Sequence, residues 1–312
     1  MFRQLDAKTG KVQWETNVRG NVAKYFFHGD VFIAPDRIVA STDVELATGI
    51  EAGFHAFDRT SGREIWKHPA GRGAPGAVIG SNARVFAYTS TGALIALSLE
   101  SGRREWNYDL KADGWESPAV LGQRVFGGSG AGAIVAFNAE NGRVDWQRTI
   151  GTAVSTSVRA SDSAVYAGTK DGSMHRLSSR DGAVLASLKL DATLKPSSAP
   201  LVRSDAVFVL LTDAGMDYRA LVSLDPALSR VKWRRAAPDR WSTTRVFATE
   251  KTIFLGTPAG QVTAYCVADG AAAWTQKLSS APIRSIGGTE ETLFAGTPQG
   301  TLYAIRPPRS CT

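Results

Sequence analysis

The chain carries a repeat that closes on tryptophan. One copy runs Ala136-Phe-Asn-Ala-Glu-Asn-Gly142-Arg-Val-Asp-Trp146, and the same offsets recur at Ala56/Gly62/Trp66, Ala96/Gly102/Trp106 and Ala264/Gly270/Trp274. Trp14 closes a copy with Gly10 but has Gln4 in the first slot, and Trp233 closes one with Ser223 and Ser229. A seventh copy, around Asp181 and Gly182, has Ala186 where the tryptophan belongs. The steps from Trp14 through Trp66, Trp106, Trp146, Ala186 and Trp233 to Trp274 are 52, 40, 40, 40, 47 and 41 residues. A period near 40 makes the chain one small unit copied end to end, so the unit governs the fold.

The unit reads as four short strands. From Trp106 to Trp146 these are Ser117 to Leu121, Arg124 to Ser129, Ala133 to Asn138 and the stretch through Trp146, with turns at Gly130-Ala-Gly132 and Ala139-Glu-Asn-Gly142. Four antiparallel strands in about 40 residues make a propeller blade. One such sheet cannot bury both faces alone, and blades stacked around an axis cover them and leave few open edges. The small Ala leaves room for an indole to dock, and the Gly lets the turn take positive φ. On this reading Trp14, Trp66, Trp106, Trp146, Trp233 and Trp274 are structural staples between blades, and the weak link is at Ala186.

The pattern Ala-x-Asp-x-x-Thr-Gly-x-x-x-Trp resembles the tryptophan-docking motif of the pyrroloquinoline-quinone-type (PQQ-like) propeller repeat. Leu5 to Trp14 matches that family's turn and outer strand, and Leu255 to Tyr265 and Phe294 to Ile305 match its preceding strand-Gly-strand half. The resemblance covers essentially the whole chain. The expected fold is all-β: a propeller of four-stranded antiparallel blades, seven in number, over a single domain 1–312. Six units lie between Trp14 and Trp274, and an N-terminal outer strand (Lys11–Thr16) is expected to close the C-terminal blade. The alternative is an eight-bladed parent cut short at Met1.

Composition narrows the function. No apolar run approaches the ~20 residues of a membrane-spanning helix. No signal peptide is read at the start of the given sequence, where Met1 is followed at once by repeat sequence, as it also would be in a mature chain. The formal charge of +7 is scattered over repeat turns (Lys8, Lys11, Arg63, Arg103, Arg104, Arg143) and reads as a solvated basic surface, not a nucleic-acid site. Cys266, in a strand, reads as a small core residue and Cys311 as part of a mobile end, forming neither a disulfide framework nor a metal site. His28, His55, His68 and His175 share no ligand spacing and read as surface or packing residues. No nucleophile elbow, phosphate loop or EF-hand appears.

Quinone-dependent dehydrogenases with this repeat are expected to have a vicinal cysteine pair and a calcium-holding carboxylate and amide set. Cys266 and Cys311 cannot be vicinal, so the reading is no catalytic residues, no cofactor and no metal. The resemblance is nearest to the non-enzymatic BamB-like propellers of outer-membrane assembly. It implies a monomeric scaffold for a protein partner in the periplasm or cell envelope. The sequence departs from the expectation for those propellers in blade count and in showing no lipobox cysteine at its start. A ligand-sensing extracellular domain is the alternative, and a quinoprotein dehydrogenase a third reading.

Departures from the period point to one face, formed by the second-to-third loops and the blade connections. Thr42 to Gly53, Asn17 to His28 and Thr212 to Arg219 are lengthened there, and long loops on one face of a repeat protein are where binding tends to sit. The candidate binding residues on this face are Arg72, Trp115, Glu116, Lys195, Arg240, Trp241 and Arg284. Trp115 and Trp241 fall outside the docking motif and are the expected aromatic anchors for a partner.

Overall fold

Strand alternation and a turn glycine every few residues produce short antiparallel sheets. The computed structural model describes residues 2–16, 25–27, 29–44, 52–71, 73–74, 76–81, 83–112, 116–161, 163–243, 245–308 and 311. No helix occurs among them. The fold is an all-β, seven-blade propeller of four-stranded antiparallel sheets. Among the described residues six blades are complete in themselves.

The chain divides into two compact units, residues 1–149 and 150–312. The first begins with a two-stranded sheet, Phe2–Leu5 with Val12–Thr16. Blade one follows, with Tyr25–Phe27 and Phe32–Ile33 both on Arg37–Val44, then Gly53–Asp58 and Glu64–Pro69. Blade two is Ile79–Gly80, Arg84–Tyr88, Ala93–Ser98 and Arg104–Asp109, and blade three is Ala119–Leu121, Arg124–Gly128, Ala133–Asn138 and Val144–Thr149. The second unit holds blade four (Arg159–Ala160, Ala164–Gly168, Ser173–Ser178, Val184–Lys189). Blade five has Lys195–Pro196 and Leu201–Val202 on Val207–Thr212, then Tyr218–Leu224 and Val231–Trp241. Blade six is Phe247–Ala248, Thr252–Gly256, Gln261–Cys266 and Ala272–Lys277, and a three-stranded sheet, Ser285–Gly288, Leu293–Gly296 and Leu302–Ile305, ends the unit.

Pairing sets the docking geometry. One lateral row crosses each blade, and direct cross-strand partners share a face. In blade two the row is Ile79, Phe86, Ala96, Trp106. In blade three it is Ala119, Phe126, Ala136, Trp146. Blade one has Phe32, Val39, Ala56, Trp66, blade five Leu201, Phe208, Ser223, Trp233, and blade six Phe247, Phe254, Ala264, Trp274. The small third residue lets the indole lie across it onto the ring of the second strand. The ring centroids are 5.7 Å apart for Phe86–Trp106 and 5.8 Å for Phe126–Trp146, Phe208–Trp233 and Phe254–Trp274.

The indole then reaches the next sheet. Trp14 Nε1 donates to the Arg59 carbonyl (2.9 Å), Trp66 to Leu99 (2.9 Å), Trp106 to Ala139 (3.1 Å) and Trp233 to Val267 (3.0 Å). Each acceptor is the first turn residue after the third strand. The glycine of that turn lies under the indole. A Cβ on Gly62 would sit 2.5 Å from Trp14, and one on Gly102 would sit 2.5 Å from Trp66. Both glycines also hold φ near 70°, which side chains disfavour. Trp274 differs, because its Nε1 is buried without an acceptor.

Blade four rewrites the whole row as Arg159, Tyr166, Arg176, Ala186. The missing tryptophan does not leave a gap. Tyr166 Oη donates to the Pro226 carbonyl at 2.8 Å. Pro226 lies three residues after the row residue Ser223, the offset at which the acceptors of the tryptophans follow their own row residues. Leu228, left-handed at φ 55°, is 2% exposed and packs in one cluster with Tyr166, Ala186 and Leu188. The expected weak link at Ala186 is therefore bridged by a tyrosine and a leucine. Tyr166→Phe should keep the packing and lose the bond, costing about 1 kcal/mol in urea unfolding.

The cysteine reading is corrected. Cys266 and Cys311 form a disulfide, with Cα atoms 5.5 Å apart across a separation of 45 residues. It ties the chain end to the third strand of blade six, so Cys266 is not a free core thiol and Cys311 is anchored. Closing a loop of this length restricts the unfolded chain. Reduction, or the paired change to serine, should lower stability by about 2–4 kcal/mol, measured as the shift in denaturant midpoint with and without reductant.

Candidate interaction site

The second-to-third connection of blade five is built differently from its counterparts. In the other blades with a short connection, a glycine takes the left-handed position: Gly92 (φ 82°), Gly132 (80°), Gly172 (90°) and Gly260 (78°), with Gly300 (85°) in the C-terminal sheet. Each donates its N–H to the carbonyl three residues back, as Gly172 does to Thr169. In blade five that place belongs to Met216, which has φ 64° and donates to the Asp213 carbonyl at 3.0 Å. A left-handed methionine costs on the order of 1 kcal/mol or more. It is also 69% exposed, the most exposed large apolar side chain among the described residues.

Ion pairs brace this loop. Arg219 Nε meets Asp213 Oδ2 at 2.8 Å and its Nη2 meets Asp217 Oδ2 at 2.9 Å, while Nη1 donates to the Asp239 carbonyl at 3.0 Å. Arg240 Nη1 meets Asp217 Oδ1 at 2.8 Å. The Asp217 N–H donates to Asp213 Oδ1 at 3.0 Å. Surface pairs of this kind add little stability singly, but as a connected set they tie together Asp213 and Asp217, the residues that flank the turn holding Met216.

The candidate residues of this unit gather around the loop. Lys195 pairs with Thr212 across the sheet, Thr212 with Tyr218, and Tyr218 with Trp241, so the four form one lateral row. Burial pushes the Tyr218 phenol up, partly offset by a hydrogen bond to Ser197 and by the Arg284 charge. Arg284 therefore faces the same end of the blade. Trp241 is 2% exposed and meets the Tyr265 ring edge-on at 6.0 Å, so it is part of the core between blades five and six, not a surface anchor. Its Nε1 is buried without an acceptor, as is Thr212 Oγ1.

Glu116 belongs to the first unit, where its charge adds to the burial that raises the Tyr88 phenol. Arg72 and Trp115 lie outside the described residues, as do the lengthened stretches 17–24 and 45–51. The expected lengthening of the Thr212–Arg219 loop is corrected: the added residues extend the flanking strands, Val207–Thr212 and Tyr218–Leu224, and the connection itself, residues 213–217, is short. Loop length did not mark Met216. Aligning the short connections copy by copy would have shown a methionine in a glycine slot.

Two histidines are buried within blades instead of lining this site. In blade four His175 Nε2 lies 3.0 Å from Thr169 Oγ1 and Nδ1 lies 2.9 Å from Ser187 Oγ. In blade one His55 Nδ1 lies 2.6 Å from Glu64 Oε1. Burial lowers the pKa of both, against the pull of Asp171 on His175 and of Glu64 on His55. The folded state thus favours the neutral ring, and the unfolded chain binds more protons below the ordinary value of 6.5. Stability is complete above that value and is lost as pH falls through the lowered folded values. Unfolding free energy should decline from pH 7 to pH 5, above the carboxylate range, with a smaller slope in His175→Gln.

The docked rows and turns define a PQQ-like, tryptophan-docked propeller. The family model described as outer membrane protein assembly factor BamB matches residues 51–211 and 195–309, and the chain belongs to that family. Its fold is similar to the crystal structure of BamB from Moraxella catarrhalis, with a TM-score of 0.77 at 17% identity over 97% of this chain and 88% of that one. It is also similar to the computationally designed Ika8 protein, with a TM-score of 0.75 at 12% identity over 97% and 89%. At these identities both show the fold alone. No curated protein matches the sequence.

Proposed function

We propose that the protein is a non-catalytic propeller scaffold that holds a protein partner, serving outer-membrane protein assembly in the bacterial cell envelope. The observation that carries this reading is Met216, an apolar side chain held outward at a left-handed position that glycine fills in the other short connections. Strain of this kind persists where the surroundings over-determine it, and it clusters at functional sites. Membership of the BamB family supports the assembly role. The disulfide supports an oxidising compartment such as the periplasm.

The partner's complementary surface is an apolar socket bordered by carboxylates. Met216 would enter the socket. Lys195 and Arg284, which have no carboxylate in ion-pair reach among the described residues, would face the acidic border. Such rim charges set orientation and encounter rate more than affinity.

Met216→Gly separates binding from folding. The substitution restores the residue of the other connections and removes the strain, so stability should hold or rise by about 0.5–1 kcal/mol. Capture of outer-membrane assembly components from a cell-envelope fraction should fall at least ~10-fold, as expected for losing a central anchor. Undiminished capture by the folded variant would rule out Met216 as the anchor. Absence of such components with the wild-type protein would rule out the assembly role.

A further inference from the structure

Blade four's rewritten row places two guanidinium groups on either side of one tyrosine. Arg159, on the innermost strand, pairs directly with Tyr166, which pairs directly with Arg176. Direct partners in an antiparallel sheet share a face, with Cβ atoms about 5 Å apart. Tyr166 reaches Pro226 of blade five, so this face looks onto the neighbouring blade where the other rows place an indole. The corresponding positions in the other complete blades are uncharged: Phe32, Ile79, Ala119, Leu201 and Phe247 opposite Arg159, and Ala or Ser opposite Arg176.

The two charges are not balanced. Neither Arg159 nor Arg176 has a carboxylate in ion-pair reach among the described residues. Arg176 Nε is buried with no acceptor. Arg159 donates Nη1 to the Val158 carbonyl at 3.1 Å, and its burial lowers its pKa with no opposing charge. Filling the space left by the indole would need only an apolar side chain, as Leu228 provides from the facing turn. Two arginines on one face, flanking Tyr166 and without a carboxylate partner among the described residues, one of them with an unused buried donor, instead match the planar forks that bind oxyanions.

We infer that the face of blade four carrying Arg159, Tyr166 and Arg176 is an oxyanion-binding site, its two guanidinium groups taking a carboxylate or phosphate group. The site is distinct from the Met216 loop and does not depend on the scaffold reading. Tyr166 already spends its proton on Pro226, so the guanidinium groups supply the donors.

The test uses the full chain with inorganic phosphate and acetate as separate probes, at ionic strength held constant with sodium chloride. Binding is read by calorimetric titration and by the thermal midpoint. A midpoint raised by phosphate over chloride assigns a phosphate-type ligand, and one raised by acetate assigns a carboxylate. Arg159→Met and Arg176→Met keep the stem volume and should each weaken the active probe at least ~10-fold, the loss expected for one charge-assisted pair. Arg176→Lys, which keeps the charge without the fork, should weaken it less. Wild-type midpoints that coincide in chloride, phosphate and acetate would overturn the inference, whatever the variants do. So would methionine variants that keep the full wild-type affinity.

Discussion

Everything in this fold follows from one contact, the indole that leaves its own blade and lands on the next blade's turn. A four-stranded sheet of this size has more apolar face than it can cover itself. The row geometry solves this. A small third residue lets the tryptophan lie over the ring of the second strand, and its Nε1 then finds a carbonyl in the next sheet, as Trp106 does with Ala139. The turn glycine meets two demands at that point. It adopts positive φ and leaves the space into which a Cβ would collide with the ring. Motif spacing and packing are thus one constraint, which is why a period near 40 survives along a chain whose loops vary.

Blade four shows what that constraint allows. Position 176, small in the other complete blades, is an arginine here, and its partner at 186 is an alanine. The bridge to the next turn then passes to Tyr166 and Leu228. The same exchange puts two arginines, without a carboxylate partner among the described residues, on a face that is uncharged in the other complete blades. Blade five departs on its loop, where a methionine replaces a glycine at a strained position and ion pairs hold the loop's shape. Departures from the repeat therefore mark both places to which we assign binding.

The blade pattern was legible because the tryptophans, glycines and small residues that define it are consecutive in sequence and periodic. What escaped was non-local or hidden by a neighbour. The Cys266–Cys311 bond joins residues 45 apart, one at the chain end, with no spacing rule to announce it. Tyr166 lies 20 residues before Ala186, so a search keyed to tryptophan misses its compensation. Met216 follows Gly215, which reads as the turn glycine, although the positive φ falls one residue later. Trp241 stood out as a tryptophan outside the motif, but pairing with Tyr218 on an extended outer strand takes it into the core.

The docking contact is tested most directly by a double-mutant cycle on Trp106 and Gly142, whose added Cβ would lie 2.8 Å from the indole. Trp106→Ala should cost about 3–5 kcal/mol in denaturant unfolding. Gly142→Ala should cost at least ~1 kcal/mol more in the presence of Trp106 than in its absence, because the ring is what the methyl group strikes. Equal costs for Gly142→Ala in both backgrounds would contradict the account.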